Sequence, residues 1–395
     1  MRLLYIVDQF PVASETFVAA EIEGMRQRGH VVEVAALKRP TPGTLQKMGP
    51  GLRSLIAGTH YVPRISALAS ARYFWTPSAH RLNWRIAREA TCKAKPLLRL
   101  TRAMTVARLA DQLRAQRIHA HWPRPTEVAL LASLLTGLPV SASIHAHEVA
   151  HDNGHFPAAF EMLDFATFCN TAAMELLLSK LADPAQSRSH LIYHGVDAST
   201  FPQVALPSID GVLRIVTAGR LTPTKGFDRL IEAVGRAKGH GLEVSLTILG
   251  DGGGKDRLVQ LAAALGVGDQ IDFAGWLPHE QMHGMLAQHH LFALLADDSF
   301  HDGLPNVVLE AMATGLPVIL SPLPAAKEAV VDGKSGLILS AVDAVDEMVE
   351  LCIRLWSEPD RLRSLGDAAA RAVRLQHDRS AQLDRLAALF SVSDR

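Results

Sequence analysis

The chain has 395 residues, 48% hydrophobic and 20% charged, the composition of a globular protein long enough for two domains rather than of a disordered or fibrous one. Its 40 Lys and Arg balance 40 Asp and Glu, so no overall positive field draws it to nucleic acid, and any anion must be held by a local site. Three cysteines, Cys92, Cys169 and Cys352, stand far apart without a C-x-x-C pair, which fits a reducing, cytoplasmic compartment and supports neither a disulfide framework nor a thiolate metal site.

The first apolar run, Leu3 to Val7, ends at Asp8; it is too short for a signal h-region and reads as a buried strand. Ser14 is placed to cap a helix with Val18, Ile22 and Met25 on one face, closed by Gly29 before a strand at Val31 to Leu37. The pattern resumes with a helix using Val106, Leu109, Ala110 and Leu113, a strand at Ile118 to His121, a helix near Glu127 to Leu135 and a strand at Val140 to His145. Further strands are expected at Phe165 to Cys169 and Leu191 to His194. The uncharged run Val128 to Ile144 is broken by Gly137-Leu138-Pro139, so it turns before spanning a bilayer, which takes ~20 apolar residues.

Pro202 to Gly211 is polar and turn-rich and reads as a linker. A second series follows: strand Leu213 to Ala218, a helix with Phe227, Leu230, Ile231 and Val234 at helical spacing, strand Val244 to Leu249, helix Asp256 to Leu265, and strands at Gln270 to Ala274, Leu291 to Leu295 and Pro317 to Leu320. This alternation predicts an α/β protein of two Rossmann-like, doubly wound domains facing across a cleft, with a ligand at the carboxyl ends of the strands. The division expected is 1–205, 206–375, and a terminal helix in 376–395 that can pack back on the first domain.

Two loops carry the chemistry. Gly219-Arg220-Leu221-Thr222-Pro223-Thr224-Lys225-Gly226 follows a strand and precedes a helix. It offers a planar guanidinium, a compact ammonium and helix N–H groups, a set suited to a diphosphate; a solvated turn is the plainer alternative. The second loop holds Asp302, Gly303, Leu304, Pro305 and Asn306, then Glu310 in the following helix. Gly303 allows close backbone approach, the helix start favours phosphate, and carboxylates accept hydrogen bonds from sugar hydroxyls. Taken singly, Asp302 and Glu310 are also ordinary helix-approach and solvated residues.

These segments resemble the retaining nucleotide-sugar glycosyltransferases of family 4, which have the GT-B fold. Gly219 to Gly226 is similar to that family's diphosphate loop, and Asp302 to Glu310 to its two glutamates separated by seven residues, with Asp302 standing where the family usually has Glu. Phe10 to Phe17, Ile118-His119-Ala120-His121-Trp122 and Ile144-His145-Ala146-His147-Glu148 resemble the colanic-acid type of exopolysaccharide glycosyltransferase, and Leu191 to Asp197 resembles the end of the family's first domain. The likeness covers nearly the whole chain except Thr41 to Thr105. A Gly-Gly pair common after the family's first strand is replaced by Ser14-Glu15-Thr16.

The resemblance implies transfer of a sugar, with retention, from a UDP- or GDP-sugar to a glycan, lipid-linked or small-molecule acceptor in polysaccharide or glycoconjugate synthesis. It implies that Arg220 and Lys225 hold the diphosphate, Glu310 the ribose, and Asp302 and His145 the donor sugar, with His147 a substitute for His145. A hydrogen-bonded strand-end histidine is the plainer reading of His145. The resemblance also implies that no metal is essential. His119, His121, His145 and His147 invite a zinc reading, but the two pairs sit on separate strands with no evident acid partner.

Gly250 to Lys255 lacks the last glycine of a dinucleotide fingerprint and reads as a turn beside the nucleotide. Trp276 stands where it can contact a base or simply pack. Between Arg64 and Arg108 lie ten Arg or Lys and one acid, Glu89. That stretch is either a solvated basic face or a peripheral contact with the inner face of the cell membrane. A nucleotide-sugar epimerase and a catalytically silent sugar-nucleotide-binding protein are the alternatives to transfer.

Overall fold

The computed structural model describes residues 1–64, 96–145, 160–181, 185–208, 210–297 and 303–392. His147, Glu148 and Asp302, and the basic stretch from 65 to 95, lie outside the described residues. The chain forms two compact units, Met1–Ile192 with Leu383–Arg395, and Tyr193–Gln382.

In the first unit, β1 (Arg2–Gln9), β2 (Val31–Lys38), β3 (Thr59–Tyr61), β4 (Arg117–His121), β5 (Val140–Ile144), β6 (Phe165–Phe168) and β7 (Ser189–Leu191) form one sheet. Its order is β3-β2-β1-β4-β5-β6-β7, and every pairing is parallel. The helices are α1 (Thr16–Gln27), the short α2 (Pro42–Gln46) and α3 (Pro50–Ser54), α4 (Pro96–Leu113), α5 (Pro123–Thr136) and α6 (Thr171–Leu178). A strand covered on both faces needs apolar residues in both directions. In β1, Leu4 and Ile6 accordingly enter one core cluster with α4 and α5, while Leu3, Tyr5 and Val7 enter another with α1.

In the second unit, β8 (Leu213–Ala218), β9 (Val244–Leu249), β10 (Ile271–Gly275), β11 (Leu291–Leu294), β12 (Val318–Leu320) and β13 (Leu337–Ile338) form a parallel sheet of order β10-β9-β8-β11-β12-β13. Its helices are α7 (Phe227–Gly239), α8 (Lys255–Ala264), α9 (His279–Leu286), α10 (Asn306–Thr314), the short α11 (Ala326–Ala329), α12 (Val345–Ser357) and α13 (Pro359–Gln376). The expected stripe Phe227, Leu230, Ile231 and Val234 is buried with Ile215 and Leu246 on one face of the sheet. Val216 and Ala218 face the other cluster, with Val308, Leu309 and Met312 of α10.

The last helix, α14 (Arg379–Val392), begins in the second unit, and its residues from Leu383 belong to the first. There Leu383, Leu386 and Phe390 are buried with Leu3, Tyr5 and Ile22, and Arg28 donates to Asp384 at 2.8 Å.

Three readings are corrected. Ser14 is not the cap of α1: Glu15 holds that position and no side chain caps the helix, because a turn with Glu15 N–H donating to Val12 delays the start. The strand expected at Leu191 to His194 runs instead at Ser189–Leu191; only these residues find register on β6, as far as Phe168 opposite Leu191. The segment read as a linker is fastened within the second unit, where Val204 N–H donates to Thr314 and Gln203 to Asp367 at 2.6 Å.

Candidate functional site

In a parallel sheet the connections on either side of the strand-order reversal leave toward opposite faces, which opens a crevice at the carboxyl ends of the two central strands. In the second unit those strands are β8 and β11. The loop after β8 is the 219–226 segment, and the chain after β11 leads to Gly303 and α10. Both motifs found in the sequence therefore flank one reversal point. The 219–226 loop is also joined to the end of β11, since Asp297 N–H donates to the Thr224 carbonyl at 2.9 Å.

Within the first loop Arg220 is exposed and Lys225 half-buried. Pro223–Lys225 forms a 3-10 turn that ends on Gly226, at φ 68°. A β-carbon on Gly226 would also overlap the Leu295 carbonyl oxygen, so conformation and space both require glycine there. That turn brings Lys225 back toward the strand end: a β-carbon at Gly219 would stand 3.8 Å from the Lys225 side chain. Arg229, one turn into α7, donates to the Leu295 carbonyl at 2.8 Å and lies 3.6 Å from Asp297. The sequence reading did not find Arg229, which looks like any helical arginine until β8 and β11 are placed side by side.

The glycines of Gly250 to Gly254 serve the backbone. Gly250, at φ 138°, has the Gly219 carbonyl where a side chain would be, and Gly252 and Gly254 lie against Leu221. Leu221 N–H donates to the Asp251 carbonyl at 3.1 Å, and the Leu221 carbonyl accepts from Gly254 N–H at 3.0 Å. The turn thus braces the 219–221 segment from below.

On the other arm, Gly303, Leu304, Pro305 and Asn306 are half-buried, and Asn306 opens α10. Glu310 lies on that helix with its side chain 7% exposed, and His279 Nε2 donates to its Oε1 at 2.9 Å. The solvated-carboxylate reading of Glu310 is overturned, because Val308, Leu309 and Ala311 around it are core. Arg379, half-buried, carries its charge among Glu310, Asp197 and Asp378. Neither His279 nor Arg379 was expected from the sequence; only tertiary packing brings them to Glu310. Trp276 is half-buried just beyond β10.

In the first unit the order reverses between β1 and β4. His145, just past β5, is half-buried; its ring stacks on Trp122 at 5.1 Å between centroids and lies 5.4 Å from Phe17. His119 and His121 share one buried face of β4. The sequence reading finds no acid beside them, and the structure supplies one: Glu21 Oε1 lies 3.1 Å from His121 Nε2 and 3.5 Å from His119 Nε2. The signal was present, since Glu21 falls between Val18 and Ile22 on the apolar stripe of α1. His119 also bonds Ser141 and Ser143 at 2.8 and 3.0 Å, so the imidazole has oxygen partners within the fold.

Burial pushes His119 down to about 4, against the opposing pull of Glu21. Burial works to raise Glu21, but the charge of His121 and hydrogen bonds from both imidazoles win and hold it well below the usual carboxylate range. Tyr5 is raised well above 10, first by burial and then by the Glu21 charge. The neighbourhood is a buried anion held by imidazoles, with the Trp122 ring 5.6 Å from that of His121. Among the described residues no helix is long and apolar enough to cross a membrane.

Residues 204–372 match the family model for glycosyl transferases group 1. The chain is similar to the putative colanic acid biosynthesis glycosyltransferase WcaL of Salmonella typhimurium, 25% identical over 359 residues, covering 87% of this chain and 88% of that one. It is also similar to a GDP-mannose-dependent alpha-(1-6)-phosphatidylinositol monomannoside mannosyltransferase of Mycolicibacterium smegmatis, 29% identical over 252 residues, 58% of this chain and 64% of that one. The crystal structure of Anabaena Alr3699/HepE in complex with UDP matches with a TM-score of 0.76 at 16% identity, over 99% of this chain and 100% of that one, which establishes the GT-B type of fold. In a chain of two parallel-sheet units, residues 204–372 are a glycosyl transferases group 1 domain, and the protein is a glycosyltransferase.

Proposed function

We propose that the protein moves a sugar from a nucleoside-diphosphate sugar to a hydroxyl acceptor, with retention of anomeric configuration, in polysaccharide or glycoconjugate assembly. The observation that carries this reading is the pairing of Arg220 and Lys225 with Glu310 on the two arms of one strand-order reversal. A diphosphate needs concentrated positive charge, and the nucleoside attached to it needs an acceptor for its ribose hydroxyls. The second unit offers both from its own residues.

As the bond to the sugar breaks, negative charge grows on the leaving diphosphate. A fork of guanidinium donors and an ammonium held ready beside it stabilise that charge without reorganising, a form of catalysis worth several kcal/mol. Glu310 accepts hydrogen bonds from the ribose, while Asp302 and His145 position the donor sugar; the Trp122 stack fixes the plane of the His145 ring. The UDP held by the Anabaena protein and the GDP-mannose dependence of the mycobacterial relative both support a nucleotide-sugar donor. The name of the WcaL relative supports an exopolysaccharide acceptor. Peripheral membrane contact through 64–108 belongs to the same reading, since a lipid-linked acceptor lies at such a surface.

The test is calorimetric titration of UDP and GDP, followed by transfer assays with their sugars and anomeric analysis of the product by NMR. Binding of one nucleotide in the micromolar range and an axial product from an axial donor are expected. Inversion at the anomeric carbon, or isomerised donor without any acceptor, would overturn the reading.

A further inference from the structure

We propose that His279 is a positioning residue for the donor ribose, acting through Glu310; the inference rests on the ribose role proposed for that carboxylate. Glu310 sits on α10, a helix otherwise given over to core residues, with its side chain 7% exposed. A carboxylate at that depth keeps its orientation only if a fixed donor holds one oxygen, because its own χ angles leave several rotamers open.

His279 is that donor. It is the first residue of α9, its Nε2 stands 2.9 Å from Glu310 Oε1, and its ring meets the buried Phe201 ring edge-on at 5.4 Å and 69°. One turn later His283 donates to the Pro202 carbonyl at 2.9 Å, which anchors α9 to the same segment that carries Phe201. The imidazole is thus held on one side by an aromatic ring and at Nε2 by the carboxylate.

The arrangement assigns the two carboxylate oxygens to different tasks. His279 occupies Oε1 and leaves Oε2 to accept from the ribose. Countercharge comes independently from Arg379, whose guanidinium interacts with Glu310 and donates to the Gly195 carbonyl at 3.1 Å. His279 is therefore needed for direction more than for neutralisation. Its side chain is 26% exposed, on the open side of the pair, where replacing it does little to the core.

The experiment measures Kd by calorimetry for UDP and GDP and for their 2′,3′-dideoxy forms, on the parent, His279→Leu, His279→Gln and Glu310→Gln. The parent is expected to prefer the ribose form by about tenfold or more, the worth of a hydrogen bond to a charged group. His279→Leu brings that ratio close to one while leaving dideoxy affinity unchanged. His279→Gln, which keeps an N–H donor, retains most of the ratio.

A His279→Leu protein with the parent's full preference, while Glu310→Gln has lost it, overturns the positioning role and spares the ribose role. A parent without any preference for the ribose form, or binding neither nucleotide, removes the ribose role of Glu310 and the inference with it. A uniform loss for ribose and dideoxy forms alike would mark His279 as merely structural and likewise overturn the proposal.

Discussion

Arg229 donates from Nη1 to the main-chain carbonyl of Leu295 at 2.8 Å, tying the helix that follows β8 to the end of β11. The same guanidinium faces Asp297, whose N–H in turn holds the Thr224 carbonyl. The cationic loop and the end of β11 are therefore tied together by both residues. Arg229→Ala is expected to cut transfer roughly tenfold, the value of one charge-assisted hydrogen bond, mainly through donor KM. Arg229→Lys should not restore it, because one ammonium cannot reproduce a planar fork that serves a carbonyl and a carboxylate together. Steady-state kinetics on both variants decide the point.

Arg220→Ala and Lys225→Ala should each lower kcat by about 10²–10³, the usual effect of removing one donor aimed at developing charge. Arg220 is exposed and Lys225 half-buried, so thermal midpoints should stay close to the parent's. Variants that melt normally and transfer sugar at the parent rate would show that the diphosphate is held elsewhere.

Gly226→Ala should destabilise the second unit by at least about 2 kcal/mol, since a left-handed backbone strains any L side chain and the new β-carbon overlaps the Leu295 carbonyl. Thermal melting checks it. An unchanged midpoint would mean that the turn adopts a different conformation in solution.

Stability should fall on mild acidification. His119 titrates at about 4 in the fold against 6.5 when unfolded, so the native state excludes a proton that the unfolded chain takes up. Its contribution is complete above 6.5 and is lost as pH falls toward 4. Each tenfold difference in proton affinity between the two states is worth about 1.4 kcal/mol, which makes the whole effect on the order of 3 kcal/mol. Glu21, held low, adds a loss at lower pH with the same sign. Urea denaturation at pH 7.5, 6 and 5 measures the slope, and His119→Gln should flatten it. An unchanged slope in that variant would place the acid sensitivity in other groups, such as His289 and His377, which burial also lowers.

The form of single loops was largely readable from local order. Strand, Gly219, Arg220, Lys225, Gly226 and helix follow one another in the chain, and each residue's place depends on its immediate neighbours. The glycines of Gly250 to Gly254 signal a turn locally, but their reason, the closeness of Gly219 and Leu221, lies a full strand and helix away. Glu21 was legible in principle as an acid on an apolar stripe, but its partners sit on β4, and no local pattern names them. His279 carried no signal at all.

Periodicity and turn chemistry act over a few residues, so the sequence by itself determined where β8 and α7 run, which face of α7 is buried and where the two cations stand. Strand order is set by the burial of whole helices against whole strands, a non-local balance that no short window contains. The tertiary structure alone decided that β11 lies beside β8, that Arg229 reaches Leu295, and that a histidine from α9 meets Glu310.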